Sequence, residues 1–105
     1  MNAEQTILDI AMNLTRMGNW AADGYSAKQK RIATFLEQTS GYVANLETAP
    51  LDQPFHRTFN AFLKEFRTLQ KDATNLPHNE KFWAERMMTW GNILTHRAKL
   101  LRPQQ

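Results

Sequence analysis

Phe55, Phe59, Phe62, Phe66, Leu69 and Ala73 follow one another at intervals of four, three, four, three and four residues. Only an α-helix brings residues so spaced onto one side, because its side chains repeat every 3.6 residues. Four phenylalanines on one line form too much apolar surface to leave in water, so other helices have to cover it. The same spacing returns near the C-terminus in Trp83, Met87, Trp90, Leu94, Arg97 and Leu101. Upstream, Ile7, Ile10, Ala11, Leu14, Met17 and Ala21 make a first helical stripe, and Ile32, Phe35, Leu36, Thr39, Val43 and Leu46 make a second. The alternation expected of strands is absent.

Three breaks separate the stripes, near 23–25, 48–53 and 75–79. Asp23-Gly24 ends the first. Ser26 with Gln29 three residues later then reads as a capping box, in which each side chain satisfies a free backbone N–H of the next helix. Pro50 and Pro54 bracket the second break, and Asp52 is placed to cap the third helix. Leu76-Pro77 lies in the last break. Connections this short put consecutive helices side by side and antiparallel. The expected fold is all-α, a four-helix up-down-up-down antiparallel bundle in one domain, 1–105, with a frayed tail at 102–105. The alternative is a pair of helical hairpins that completes its core by dimerising.

Composition removes several function classes. The chain of 105 residues has no cysteine, which excludes disulfides, thiolate metal sites and cysteine nucleophiles. No apolar run exceeds three residues, far short of the roughly 20 of a membrane span. The N-terminal residues carry Glu4 and Asp9 rather than a basic leader, so a cytoplasmic protein is expected. The only serines are Ser26 and Ser40, and the four glycines stand alone, so neither a nucleophile–base pair nor a phosphate loop can be read. No enzymatic activity and no cofactor is expected.

Antiparallel packing gathers Asp9, Glu47, His56 and His96 at one end. The carboxylate-bridged metal bundles place Glu-x-x-His on facing helices, and that motif is missing, so no metal site is expected. Arg97 interrupts an apolar line and should snorkel outward or pair with a carboxylate.

Three surfaces are candidates for binding. Trp20, Tyr25 and Trp83 fall at the other end and suggest an exposed aromatic patch. With Met12 and Phe82 they form the expected partner-binding set. A ligand pocket between helices would be lined by Phe62, Phe66, Trp83 and Trp90. Lys28, Lys30 and Arg31 open the second helix, where the helix dipole disfavours cations, so helix stability does not account for them. With Arg67 and Lys71 they suggest an anion-binding patch.

The net charge of +3 is mild, and no zinc-finger, helix-turn-helix or RNA-binding signature accompanies it, so a nucleic-acid partner is not expected. The function the sequence favours is a non-enzymatic protein-interaction or regulatory module. Helices 1 and 4 carry apolar residues beyond one inward face, among them Leu8, Met12, Phe82, Ile93 and Leu100. A homodimer through those two helices is the expected assembly.

Overall fold

The computed structural model describes residues 2–101, so the tail expected at 102–105 lies outside it. Among the described residues are four α-helices, α1 (Ala3–Gly24), α2 (Gln29–Glu47), α3 (Gln53–Ala73) and α4 (Glu80–Lys99), with a 3-10 turn at Ser26–Lys28 between the first two. They form the antiparallel bundle that the stripes require. Its extents of 46 × 21 × 20 Å match two helices by two in cross-section, each about 10 Å across.

Side-chain caps set three of the four helix starts. Asp52 Oδ1 accepts from Phe55 N–H at 3.0 Å, with Pro54 in the first turn, where its missing N–H costs nothing. Asn79 Oδ1 accepts from Phe82 N–H at 3.0 Å, and Asn2 Oδ1 from Glu4 N–H at 2.9 Å. The capping box at Ser26 and Gln29 does not form. Gly24 breaks the winding of α1 with a φ of 159°, Tyr25 returns to helical angles with its ring buried against Trp83, and Ser26 enters a 3-10 turn. The α2 N-cap is then Lys28, which makes no side-chain cap bond.

The stripes meet in one core. Ile7, Ile10, Leu14 and Met17 of α1, Ile32, Val43 and Leu46 of α2, Phe55, Phe59, Phe62 and Phe66 of α3, and Trp83, Met87 and Leu94 of α4 are all buried. One position departs from the heptad reading. Arg97 is exposed, and Ala98 takes the inward place. A straight helix repeats every 3.6 residues rather than 3.5, so by the end of α4 the inward side has drifted one residue along. Arg97 therefore needs no buried carboxylate.

The helix pairs are not equally spaced. At Gly18 of α1, an added Cβ would lie 2.4 Å from Met88 Cγ and 2.9 Å from the Ala84 carbonyl oxygen. At Gly91 of α4, it would lie 2.4 Å from Thr15 Oγ1 and 3.1 Å from the Ala11 carbonyl oxygen. The two glycines thus let α1 and α4 approach almost backbone to backbone. Between α3 and α4 whole rings intervene, with Phe62 and Trp90 in edge contact at 5.5 Å. Between α1 and α2, Trp20 stands edge-on to Phe35 at 4.9 Å. Lower down the same pair, Asn13 Nδ2 donates to Gln38 Oε1 at 2.9 Å and to Thr39 Oγ1 at 3.2 Å.

Alanine at Gly18 should therefore cost stability despite its better helix propensity. The Met88 side chain can move, but the Ala84 carbonyl belongs to the α4 backbone, and overpacking of this kind costs about 1–3 kcal/mol. Gly41, on an exposed part of α2 with open space around it, is the control: Gly41→Ala should gain about 0.5–1 kcal/mol. Urea denaturation measures both. A gain at Gly18→Ala equal to that at Gly41→Ala would mean that α1 and α4 do not approach this closely.

Candidate functional site

The most organised polar cluster joins α3 to α4. Glu65 Oε1 accepts from Arg86 Nη2 at 2.8 Å and from Trp90 Nε1 at 2.9 Å, while Oε2 accepts from Arg86 Nε. The Arg86 hydrogen bonds hold the Glu65 carboxyl below its ordinary range, against a smaller opposing effect of burial. The same bonds raise Arg86. A carboxylate engaged by three donors and kept ionised has no proton to give at neutral pH and little basicity to offer. The cluster clamps two helices that large rings keep apart. No sequence motif announces it, since Glu65 and Arg86 lie 21 residues apart.

The expected aromatic patch does not assemble. Tyr25 and Trp83 are each 1% exposed and meet edge to face at 5.2 Å. The Trp83 indole donates to the Leu69 carbonyl at 2.9 Å, which meets its one polar need inside the core. Trp20 belongs to a different neighbourhood, half-buried on Phe35 with the Arg31 guanidinium 5.2 Å above its ring. Helical spacing placed the three at one end of the bundle. It did not reveal that the α1–α2 junction turns Tyr25 inward.

The residues of the proposed ligand pocket are likewise core. Phe62 stacks on Phe66 at 5.1 Å, and Phe62, Phe66, Trp83 and Trp90 are all buried. These rings pack against one another and fill the space between α3 and α4.

The five basic residues do not converge. Arg67 Nη2 reaches Glu47 Oε2 at 3.3 Å, at the last residue of α2, whereas Lys28, Lys30 and Arg31 stand at that helix's start. A helix of 19 residues separates those ends by about 28 Å. Arg31 is stacked on Trp20, and Lys71 lies in the last turn of α3. An open hollow of about 460 Å³ follows Ser26–Arg31, beside Lys28 and Lys30.

Among the described residues, no three His, Asp or Glu side chains come together as metal ligands would, and His56 pairs instead with Asn60, Nδ1 to Nδ2 at 3.4 Å. No described helix is long and apolar enough to cross a membrane.

A few large apolar residues also stand at the surface. Phe82 is 57% exposed and Leu100 63%, while Met12 is 48% exposed on α1. Phe82, in the first turn of α4, and Leu100, its C-cap residue, are 18 residues apart, about five full turns, so they fall on one line. Arg86, Thr89 and Ile93 fall along the same flank, the one from which Arg86 reaches α3. Met12 lies one turn before Thr15, which meets Gly91, and so borders the α1–α4 seam on the other flank. The apolar surplus of α1 and α4 is thus divided between two flanks of α4 and does not merge into one patch.

Set against known proteins, the chain matches no family model, no curated protein and no solved structure.

The Glu65 clamp has a pH signature. Its folded-state value is depressed, so its contribution is complete above the ordinary glutamate range near 4.5 and is lost as pH falls toward the folded value. Glu65→Gln should cost about 1 kcal/mol at pH 7, a modest figure because both partners are partly exposed. Denaturation curves of the two proteins should converge as pH falls well below the ordinary glutamate range. An equal cost at pH 7 and pH 3 would show that the ion pair contributes nothing.

Proposed function

We propose that this bundle is a non-enzymatic protein-interaction module that docks through the outer flank of α4, and that its partner is a second copy of the chain. The observation that supports the reading is the five-turn line on α4, with Phe82 at one end and Leu100 at the other, each more than half exposed. Isolated apolar residues are ordinary on a protein surface, but two large ones on one line at opposite ends of a helix invite a second helix along that line.

The line is self-complementary. In a twofold contact between antiparallel copies of α4, Phe82 of one copy meets Leu100 of the other, and Thr89 meets Ile93. Glu85 then falls near Lys99 of the second copy, so charges of opposite sign flank the apolar line. The interior does not compete for these residues. Its rings already meet one another, and its Trp83 and Trp90 indole donors are engaged.

Sedimentation equilibrium tests the reading. The protein should show twice its chain mass of 12.2 kDa in the micromolar range. The double substitution Phe82→Glu and Leu100→Glu should return it to a folded monomer, because both side chains are already in water in the single chain. A mass of 12.2 kDa at every concentration, or a dimer indifferent to the double substitution, would overturn the proposal.

A further inference from the structure

The twofold contact proposed for α4 sets a titrating group opposite a carboxylate. Counted at about 100° per residue from the Phe82–Leu100 line, Glu85 and His96 fall on one side of that line, and Arg86 and Arg97 fall on the other. A twofold contact between antiparallel helices brings like sides together. With Phe82 of one copy against Leu100 of the other, Glu85 comes level with Arg97 along the helix. His96 is next to that level and on Glu85's own side. His96 of one copy therefore faces Glu85 of the other, and the contact occurs twice.

Both residues are open to such a contact. His96, in the last turn of α4, and Glu85 are exposed, and neither makes a hydrogen bond or ion pair with a described residue. The other charges near His96 within the chain are few. Lys99 follows it on α4. Glu4 lies on the side of α1 that meets α4, in line with Ala11, Thr15 and Gly18, and comes level with Lys99. On the α3 side, Asp52 and Arg97 border one small hollow, across the line from His96. The dipole of α4 favours a charged His96, but it does so equally in the single chain and in the dimer.

We infer that the α4 contact is a pH-responsive interface in which the protonated His96 of each copy pairs with Glu85 of the other, an inference that rests on the dimer proposed above. A histidine gains its charge between about pH 8 and pH 5. Here the charged form meets a carboxylate only in the dimer. Dimerisation therefore takes up protons, and association tightens as pH falls. The other side of the line does not titrate in that range. Arg97 there meets Arg86, which is already engaged by Glu65, and the Glu65 carboxyl is held below its ordinary range. Without the His96–Glu85 contact the opposite trend is expected. His56 and His78 also gain charge on acidification, and two copies that each start at +3 then repel more strongly.

Sedimentation equilibrium in about 0.15 M salt, at about pH 8 and about pH 5.5, tests the inference. The lower value stays above the range in which carboxylates ordinarily take up protons. The dimer dissociation constant should fall about fivefold on acidification, as two exposed ion pairs would give. His96→Gln and Glu85→Gln should each remove that fall, and His56→Gln should keep it. Both interface side chains are in water in the single chain, so these substitutions leave the fold intact. The change with pH is the quantity to read, because Glu85→Gln also loses Lys99 of the second copy and weakens the dimer at every pH. A dimer that does not tighten on acidification, a tightening that survives His96→Gln or Glu85→Gln, or one that is lost in His56→Gln would overturn the inference and leave the dimer itself standing. A single-chain mass at both pH values would overturn both.

Discussion

The close approach of α1 and α4 sets the shape of everything else in this bundle. Gly18 and Gly91 face the opposite helix at two levels, and each stands where a Cβ would come within about 3 Å of a backbone carbonyl of that helix. With no side chain between them, the two helices meet along Ala11, Thr15, Ala84 and Met88 and form a dense pair. Dispersion between backbones is weak atom by atom but adds up over several turns. The first and last helices are thereby joined, so the chain closes on itself and its middle helices have to fit around that pair.

They fit by a different means. The space that α1 and α4 do not fill is taken by rings: Phe55, Phe59, Phe62 and Phe66 along α3, with Trp83 and Trp90 from α4. A ring-filled gap is wide, and wide gaps tolerate sliding. The Glu65–Arg86–Trp90 cluster opposes sliding between α3 and α4, and Trp83 adds a fixed bond to the Leu69 carbonyl. Asn13, Gln38 and Thr39 serve α1 and α2 in the same way. Polar bonds of this kind contribute little net stability each, but they select one register among several apolar ones. The same arrangement decides the surface. Because the rings turn inward, the large apolar residues left outside are few, and two of them share one line of α4.

The fold was legible in the apolar spacing because spacing reports which residues share a side of a helix. The third helix shows this best, since every residue of its stripe from Phe55 to Leu69 is buried. Spacing does not report how near two helices come. Gly18 faces Ala84 and Met88, Gly91 faces Ala11 and Thr15, and only the three-dimensional contact gives those glycines a meaning. Arg97, which the spacing put on the apolar line of α4, turns outward as a cation there has to, and Ala98 takes the inward place. The candidate sites fared worse than the fold. Tyr25 and Trp83 looked exposed because they sit near a helix end, but the α1–α2 junction turns Tyr25 into the core. Arg67 looked like a neighbour of Lys28 because its position along α3 was read without the reach of its side chain. Its guanidinium pairs instead with Glu47, at the far end of α2. Binding surfaces depend on these offsets between helices, and a single-helix pattern does not encode them.

If the α1–α4 pair is the foundation of the bundle, it should be the last part to open. Native-state hydrogen exchange measures this amide by amide. The slowest amides should cluster in α1 around Leu14–Gly18 and in α4 around Met87–Gly91, and should exchange only through global unfolding. Those of α2 and α3 should exchange through smaller openings. Slowest exchange in α3, with α1 and α4 opening earlier, would place the foundation in the phenylalanine seam and contradict the account.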